Sequence, residues 1–111
     1  MSALLEKQQH FVVMVADLIN HANSLGYALT FGEAYRTPEQ AALNAAKGTG
    51  IKNSLHTDRL AIDFNLFKDA KWLQKTEDFE PLGEFWESIG GTWGGRFGDG
   101  NHFSLTHDGR K

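Results

Sequence analysis

A chain of 111 residues has room for one domain around a single core and none for a second unit. Its net charge of −3, with no run of Lys or Arg, excludes the electrostatic footprint of a nucleic-acid binder. Cysteine is absent, which excludes disulfides and thiolate metal sites, so any transition-metal site must draw on His, Asp and Glu.

The N-terminal stretch, Met-Ser-Ala-Leu-Leu-Glu-Lys-Gln-Gln-His, lacks the basic, apolar and small-residue order of a secretory signal, which places synthesis and folding in the cytosol. The longest apolar run, Phe11 to Ala16, is far too short for a membrane span. Leu4, Phe11, Val12, Val15, Leu18, Ile19, Ala22 and Leu25 recur at helical spacing and predict a helix from about Ala3 to Ser24, ended by Gly26. Tyr27 to Tyr35 alternates loosely and reads as a strand. Thr37-Pro38-Glu39-Gln40 supplies an N-cap, a first-turn proline and an acid for a short helix through about Ala46, broken by Gly48-Thr49-Gly50.

Leu60 to Phe67 alternates cleanly, with Leu60, Ile62, Phe64 and Leu66 on one side and Ala61, Asp63 and Asn65 on the other. That is a half-buried strand whose polar face is turned toward something. Phe79, Leu82, Phe85, Trp86 and Ile89 fit a helix over Phe79 to Ser88, stopped by Gly90-Gly91. Trp93 starts a short strand, Gly94 to Gly100 is a glycine-rich loop, and His102 to Leu105 is the last strand. No repeat, linker or low-complexity tract appears. The element order predicts a single α+β domain with helices packed on one central antiparallel sheet.

His56, Asp63 and His102 stand out as the possible inner shell of a zinc site. Two imidazoles and one carboxylate supply three ligands and leave a fourth position open for water, the catalytic arrangement. Asp63 and His102 lie on the polar sides of their strands and converge if those strands are neighbours. His56 must come from the loop before Leu60. Asp99, three residues before His102, is placed to handle protons. Each residue alone has an ordinary alternative: a strand-edge Asp is often a surface group, and a lone His is often a hydrogen-bonded bystander. His10 and His21 read as parts of a solvated helix face, and His107 needs no role. Trp72, Trp86 and Trp93 read as core or sheet-covering residues, with Trp93 a possible border of the cleft.

The pattern Ser54-x-His56, six residues, Asp63, then acid-x-x-His ending at His102, resembles the zinc D,D- and L,D-peptidases that cleave bacterial peptidoglycan stem peptides. Upstream, Glu33-Ala-Tyr-Arg36-Thr-Pro-Glu-Gln40 is similar to the Arg-Thr-x-x-x-Gln segment of that family. The resemblance spans about Phe31 to Leu105. It implies that His56, Asp63 and His102 ligate zinc and that Asp99 is the catalytic acid and base. It further implies that Arg36 stabilises the oxyanion or grips substrate, with Ser54 and Gln40 as substrate contacts. Many members carry Glu where this chain has Asp99, and Asp is found there in the phage endopeptidase branch.

The expectation is therefore an endolysin-type L-alanyl-D-glutamate endopeptidase. It would be a monomer made in a host cytoplasm and acting on the cell wall after release, without a separate wall-binding domain. A D-alanyl-D-alanine carboxypeptidase or dipeptidase is the alternative within enzymes. A wall-binding module that keeps zinc without turnover is the alternative outside them. Arg36 paired with Glu33 or Glu39, and Ser54 bonded to its own loop, are the plain structural readings of those residues.

Overall fold

The computed structural model describes residues 2–51 and 53–111. Helix α1, Ala3–Ser24, starts where the Ser2 hydroxyl accepts the Leu5 N–H at 3.1 Å. It stops where Gly26 takes a positive φ of 86° and the Tyr27 N–H returns to the Ala22 carbonyl at 3.0 Å. Phe11, Met14, Leu18 and Ala22 form its buried stripe. Val12 and Leu25, expected on that face, are exposed. At 3.6 residues per turn Val12 falls at the edge of the stripe, while Leu25 caps the open end of the helix.

Strand β1, Ala28–Phe31, ends four residues earlier than expected. Beyond it Gly32 and Glu33 still exchange backbone bonds with Asp63, and the chain then peels away toward α2, Pro38–Ala46, capped by Thr37. Strand β2, Ala61–Lys68, is the centre of the sheet. It runs antiparallel to β1, to β3 (Lys71–Leu73) and to β5 (His102–Ser104), and β4 (Thr92–Trp93) adds to β5. Strand β3 was not expected. Its hairpin turns through Asp69 and Ala70, both at positive φ, whereas the usual sequence sign of such a turn is Asn-Gly or Asp-Gly.

β1 occupies one edge of β2 along Phe64 to Phe67, so β3, paired over Leu66 to Lys68, must lie on the other. β5 shares that second edge at Ala61 to Asp63. Asn65 therefore sits at a break between β5 and β3.

Ile62, Phe64 and Leu66 of β2 face α1 and α3 (Glu80–Ser88) in one core with Leu82, Trp86 and Phe103. Phe103 lies at its middle, 5.9 Å from the Trp86 ring and 6.1 Å from Phe64. Burial of this apolar surface is the main stabilising term at about 25 cal/mol per Å². The architecture is the expected α+β arrangement of helices on an antiparallel sheet. Trp86 and Trp93 are buried, but Trp72 is 57% exposed and stacks on Phe67 across the hairpin. His21 is not simply solvated: its ring stacks on Phe85 at 4.0 Å, while His10 is exposed.

Candidate metal centre

The pairing of β2 with β5 sets Asp63 directly opposite His102. Because side chains alternate across a strand, the residues facing away from Ile62 and Phe103 share one face, and those are Asp63 and His102. His56 arrives from a short 3₁₀ turn, Leu55–Asp58, that precedes β2. Ser54 caps this turn, its hydroxyl accepting the His56 N–H at 3.1 Å, and Arg59 closes it in the left-handed region. Asp58 is tied down from outside by Arg110 and by Gln8, whose amide donates to the Asp58 carbonyl at 2.8 Å.

The three side chains converge. Asp63 Oδ1 lies 3.4 Å from His56 Nε2 and 3.3 Å from His102 Nδ1, and both imidazoles are buried. The Ala34 carbonyl accepts from His56 Nδ1 at 2.8 Å. A carbonyl can only accept, so that nitrogen carries the hydrogen and Nε2 turns its lone pair on Asp63. Two acceptors facing one another are reconciled by a proton on Nε2 or by a metal ion between them. Asp63 Oδ1 and His102 Nε2 are buried and have no hydrogen-bond partner, a costly state for polar atoms. Donor distances of about 2.0–2.1 Å put neighbouring ligands of a tetrahedral ion about 3.3 Å apart, which matches the two spacings from Asp63 to the imidazoles, while the three ligand atoms together lie within 4.8 Å of one another.

Electrostatics agree with the geometry. For Asp63, burial alone would raise the pKa, but the adjacent His102 and His56 imidazoles outweigh it and hold the carboxyl at about 2. For His56, burial would lower the pKa, yet Asp63, the Ala34 carbonyl and Glu33 together raise it above 6.5. Asp99 is exposed as a residue, but its carboxyl is partly withdrawn from water. That withdrawal raises its pKa, the Asp63 charge adds to the rise, and His102 opposes it. The charges of all three cluster residues are thus felt at Asp99, His56 opposing the rise as His102 does. Its backbone is pinned by a bond to the Gly94 carbonyl at 2.8 Å, and its own carbonyl accepts the His102 N–H at 3.1 Å.

The remaining candidates are less closely gathered. Arg36 pairs with Glu33, its Nε donating to Glu33 Oε1 at 2.9 Å, and its side chain is only 14% exposed. The Ser54 hydroxyl is taken by the turn it caps. Gln40 is exposed on α2 and donates to Asn44 Oδ1 at 2.7 Å. Glu33 was foreseen only as an ion-pair partner, but its Oε1 also stands 3.8 Å from His56 Nδ1. Nothing in the residue order could reveal the Ala34 carbonyl. Gly32 has a steric reason: a Cβ there would stand 2.9 Å from the Asp63 carbonyl oxygen. Trp93 does not border the open cluster. It is buried beneath the glycine loop and donates from Nε1 to the Gly100 carbonyl at 2.8 Å.

A family model described as D-alanyl-D-alanine carboxypeptidase matches residues 47–105, just over half of the chain. The match includes Ser54, His56, Asp63, Asp99 and His102 and leaves Arg36 and Gln40 outside it. Among solved structures, the crystal structure of Serratia marcescens L-Ala D-Glu endopeptidase ChiX is similar, with a TM-score of 0.67 at 18% identity. That likeness covers 80% of this chain and 75% of the other. The vancomycin resistance D,D-pentapeptidase VanY of the VanB-type resistance cassette, solved in complex with Zn(II), has a TM-score of 0.60 at 18% identity. It covers 88% of this chain and 71% of its own. At such identity the likeness is one of fold. No curated protein matches the chain.

Proposed function

The chain belongs to the D-alanyl-D-alanine carboxypeptidase family of zinc peptidases acting on peptidoglycan, and from that premise we propose that it is an L-alanyl-D-glutamate endopeptidase. The observation that carries the reading is the convergence of His56, Asp63 and His102 within 4.8 Å of one another, with Asp63 Oδ1 and His102 Nε2 buried and unpartnered and Asp99 three residues before His102. His56, Asp63 and His102 would hold the zinc, and the donor set of two imidazoles and a carboxylate suits that ion. When bound, zinc supplies a Lewis acid that polarises the scissile carbonyl and makes water acidic near neutral pH.

The chain's own groups do the rest. Asp99 takes a proton from the attacking water and returns it to the departing amine. The same carboxyl serves both transfers, and the 99–102 turn fixes the backbone that carries it. Arg36, steadied by Glu33, offers its remaining N–H donors to the oxyanion or to a substrate carboxylate. Ser54 acts through the turn that it caps, holding His56 in place.

Asp at position 99 and a fold shared with an L-Ala D-Glu endopeptidase support the endopeptidase reading. The description of the matching family favours a second one, removal of a terminal D-alanine. Purified muropeptides, digested with and without chelator and weighed, separate the two. Endopeptidase action cuts the stem after L-alanine and stops when chelator is added. Release of D-alanine alone would overturn that assignment.

A further inference from the structure

Beside Asp99, at the break in the sheet, lies a cavity of about 220 Å³ in which Asp99 is the only residue with a part in the peptidase chemistry. Its walls carry Asn65, Gln74, Thr76 and Asn101, with Trp72 at the far end and Asp99 at the near end. Phe64, Leu73 and Phe79 form an apolar floor where the core reaches the break. No Lys or Arg lines it among the described residues, so it offers nothing to bind a substrate carboxylate. Drug-sized ligands occupy about 300–1,000 Å³, so this space suits one small ring or group.

The chemistry is that of a neutral, amide- and hydroxyl-bearing ligand. Side-chain amides and a hydroxyl supply paired donors and acceptors. An apolar floor accepts a methyl group, and an exposed indole offers a flat face for stacking. Trp72 keeps more than half its surface in water although it is the largest side chain of the hairpin, and Phe67 backs it at 6.4 Å. The wall opposite the hairpin is preset. The Gly100 N–H donates to Thr76 Oγ1 at 3.3 Å, and a Cβ at Gly100 would stand 2.6 Å from Thr76 Cα.

We propose that this cavity binds the N-acetylated sugar that carries the stem peptide, with the acetamido methyl on the Phe64 and Leu73 floor and the ring against Trp72. This rests on the endopeptidase reading, in which the sugar is one residue from the cut bond and so falls beside Asp99. In a carboxypeptidase the sugar would lie several residues away, at up to about 3.3–3.6 Å per residue.

The test has two arms. In the first, the zinc-loaded protein is titrated with the neutral disaccharide N-acetylglucosaminyl-N-acetylmuramoyl-L-alaninamide, and separately with N-acetyl-L-alaninamide, while the Trp72 indole and the Gln74 amide are followed by NMR. The disaccharide shifts both signals and the sugar-free probe shifts neither. No shift with the disaccharide, or equal shifts with the sugar-free probe, would overturn the proposal. In the second arm, Trp72→Ala lowers kcat/KM for glycan-linked stems about tenfold, equivalent to about 1.4 kcal/mol, and leaves free stem peptides unchanged. Equal loss on both substrates would overturn it. Trp72→Phe, which keeps an aromatic face, and Gln74→Ala on the exposed rim guard against a misfolded hairpin. The first arm reads the sugar site whichever bond is cut, so failure of the endopeptidase reading shows separately in the product masses.

Discussion

The groups that gather around the candidate metal position and those assigned to protons and substrate are supported by different parts of the molecule. His56, Asp63 and His102 are buried or half-buried and tied to the sheet: by register in two cases and by a capped turn in the third. Asp99 and Gln40 are exposed, and Arg36 sits on irregular chain, anchored by an acid rather than by strand pairing. Ion binding demands three donor atoms held to fractions of an ångström, and a sheet supplies that rigidity. Substrate handling uses segments that can differ in length and composition without disturbing the sheet. Removing a residue of the first kind should therefore abolish metal binding, and removing one of the second kind should spare it.

The largest effect is expected at the sheet. Asp63→Ala should bring peptidoglycan hydrolysis to background while far-UV circular dichroism keeps its shape. Next comes Asp99→Ala, for which kcat should fall about 10²–10⁴-fold, the usual range for a lost general acid–base, with zinc content unchanged by metal analysis. Gly32→Ala tests the backing of the sheet half. The added Cβ presses on the Asp63 carbonyl and should weaken zinc binding about 10–100-fold, as removal of supporting contacts does at other metal sites.

A pH series gives the smallest effect and the sharpest sign. In the metal-free protein the raised pKa of His56 gives stability that is full below its ordinary 6.5 and is lost as pH rises through the folded value. The lowered pKa of Asp63 gives stability present above 3.8 and lost as pH falls toward about 2. The charged pair thus favours the metal-free protein most between those limits. Zinc needs neutral imidazoles, so its stabilisation grows with pH. The difference in Tm between zinc-loaded and metal-free protein should widen from pH 5.5 to pH 8, and a constant difference would contradict the role given to His56.

Much of the sheet half was legible from residue order, because alternation is a direct record of which side is buried. Asp63 between Ile62 and Phe64, and His102 before Phe103, announced their face without any structure. The glycine stop of α1 and the Thr37-Pro38 start of α2 were legible for a local reason: caps and breakers act through neighbouring residues. What could not be read depended on distant chain. The Ala34 carbonyl reaches His56 only because the backbone at Gly32 and Glu33 stays bonded beside Asp63, and the break at Asn65 exists only because β5 and β3 meet the same edge of that strand. Strand β3 was hidden by a turn of Asp69 and Ala70, residues that rarely share positive φ. The α1 face was misjudged at Val12, where hydrophobicity alone cannot tell the edge of a stripe from its centre. Trp72 was expected on the core or covering the sheet, and its exposure depends on a hairpin that sequence did not disclose.

The most direct test is a competitive zinc titration of the wild type, Asp63→Ala and Asp99→Ala at neutral pH. One tightly held zinc per chain is predicted for the wild type and for Asp99→Ala, with that zinc lost in Asp63→Ala. Undiminished zinc binding by Asp63→Ala, or loss of the ion from Asp99→Ala, would contradict the assignment of holding to the sheet and proton transfer to the loop.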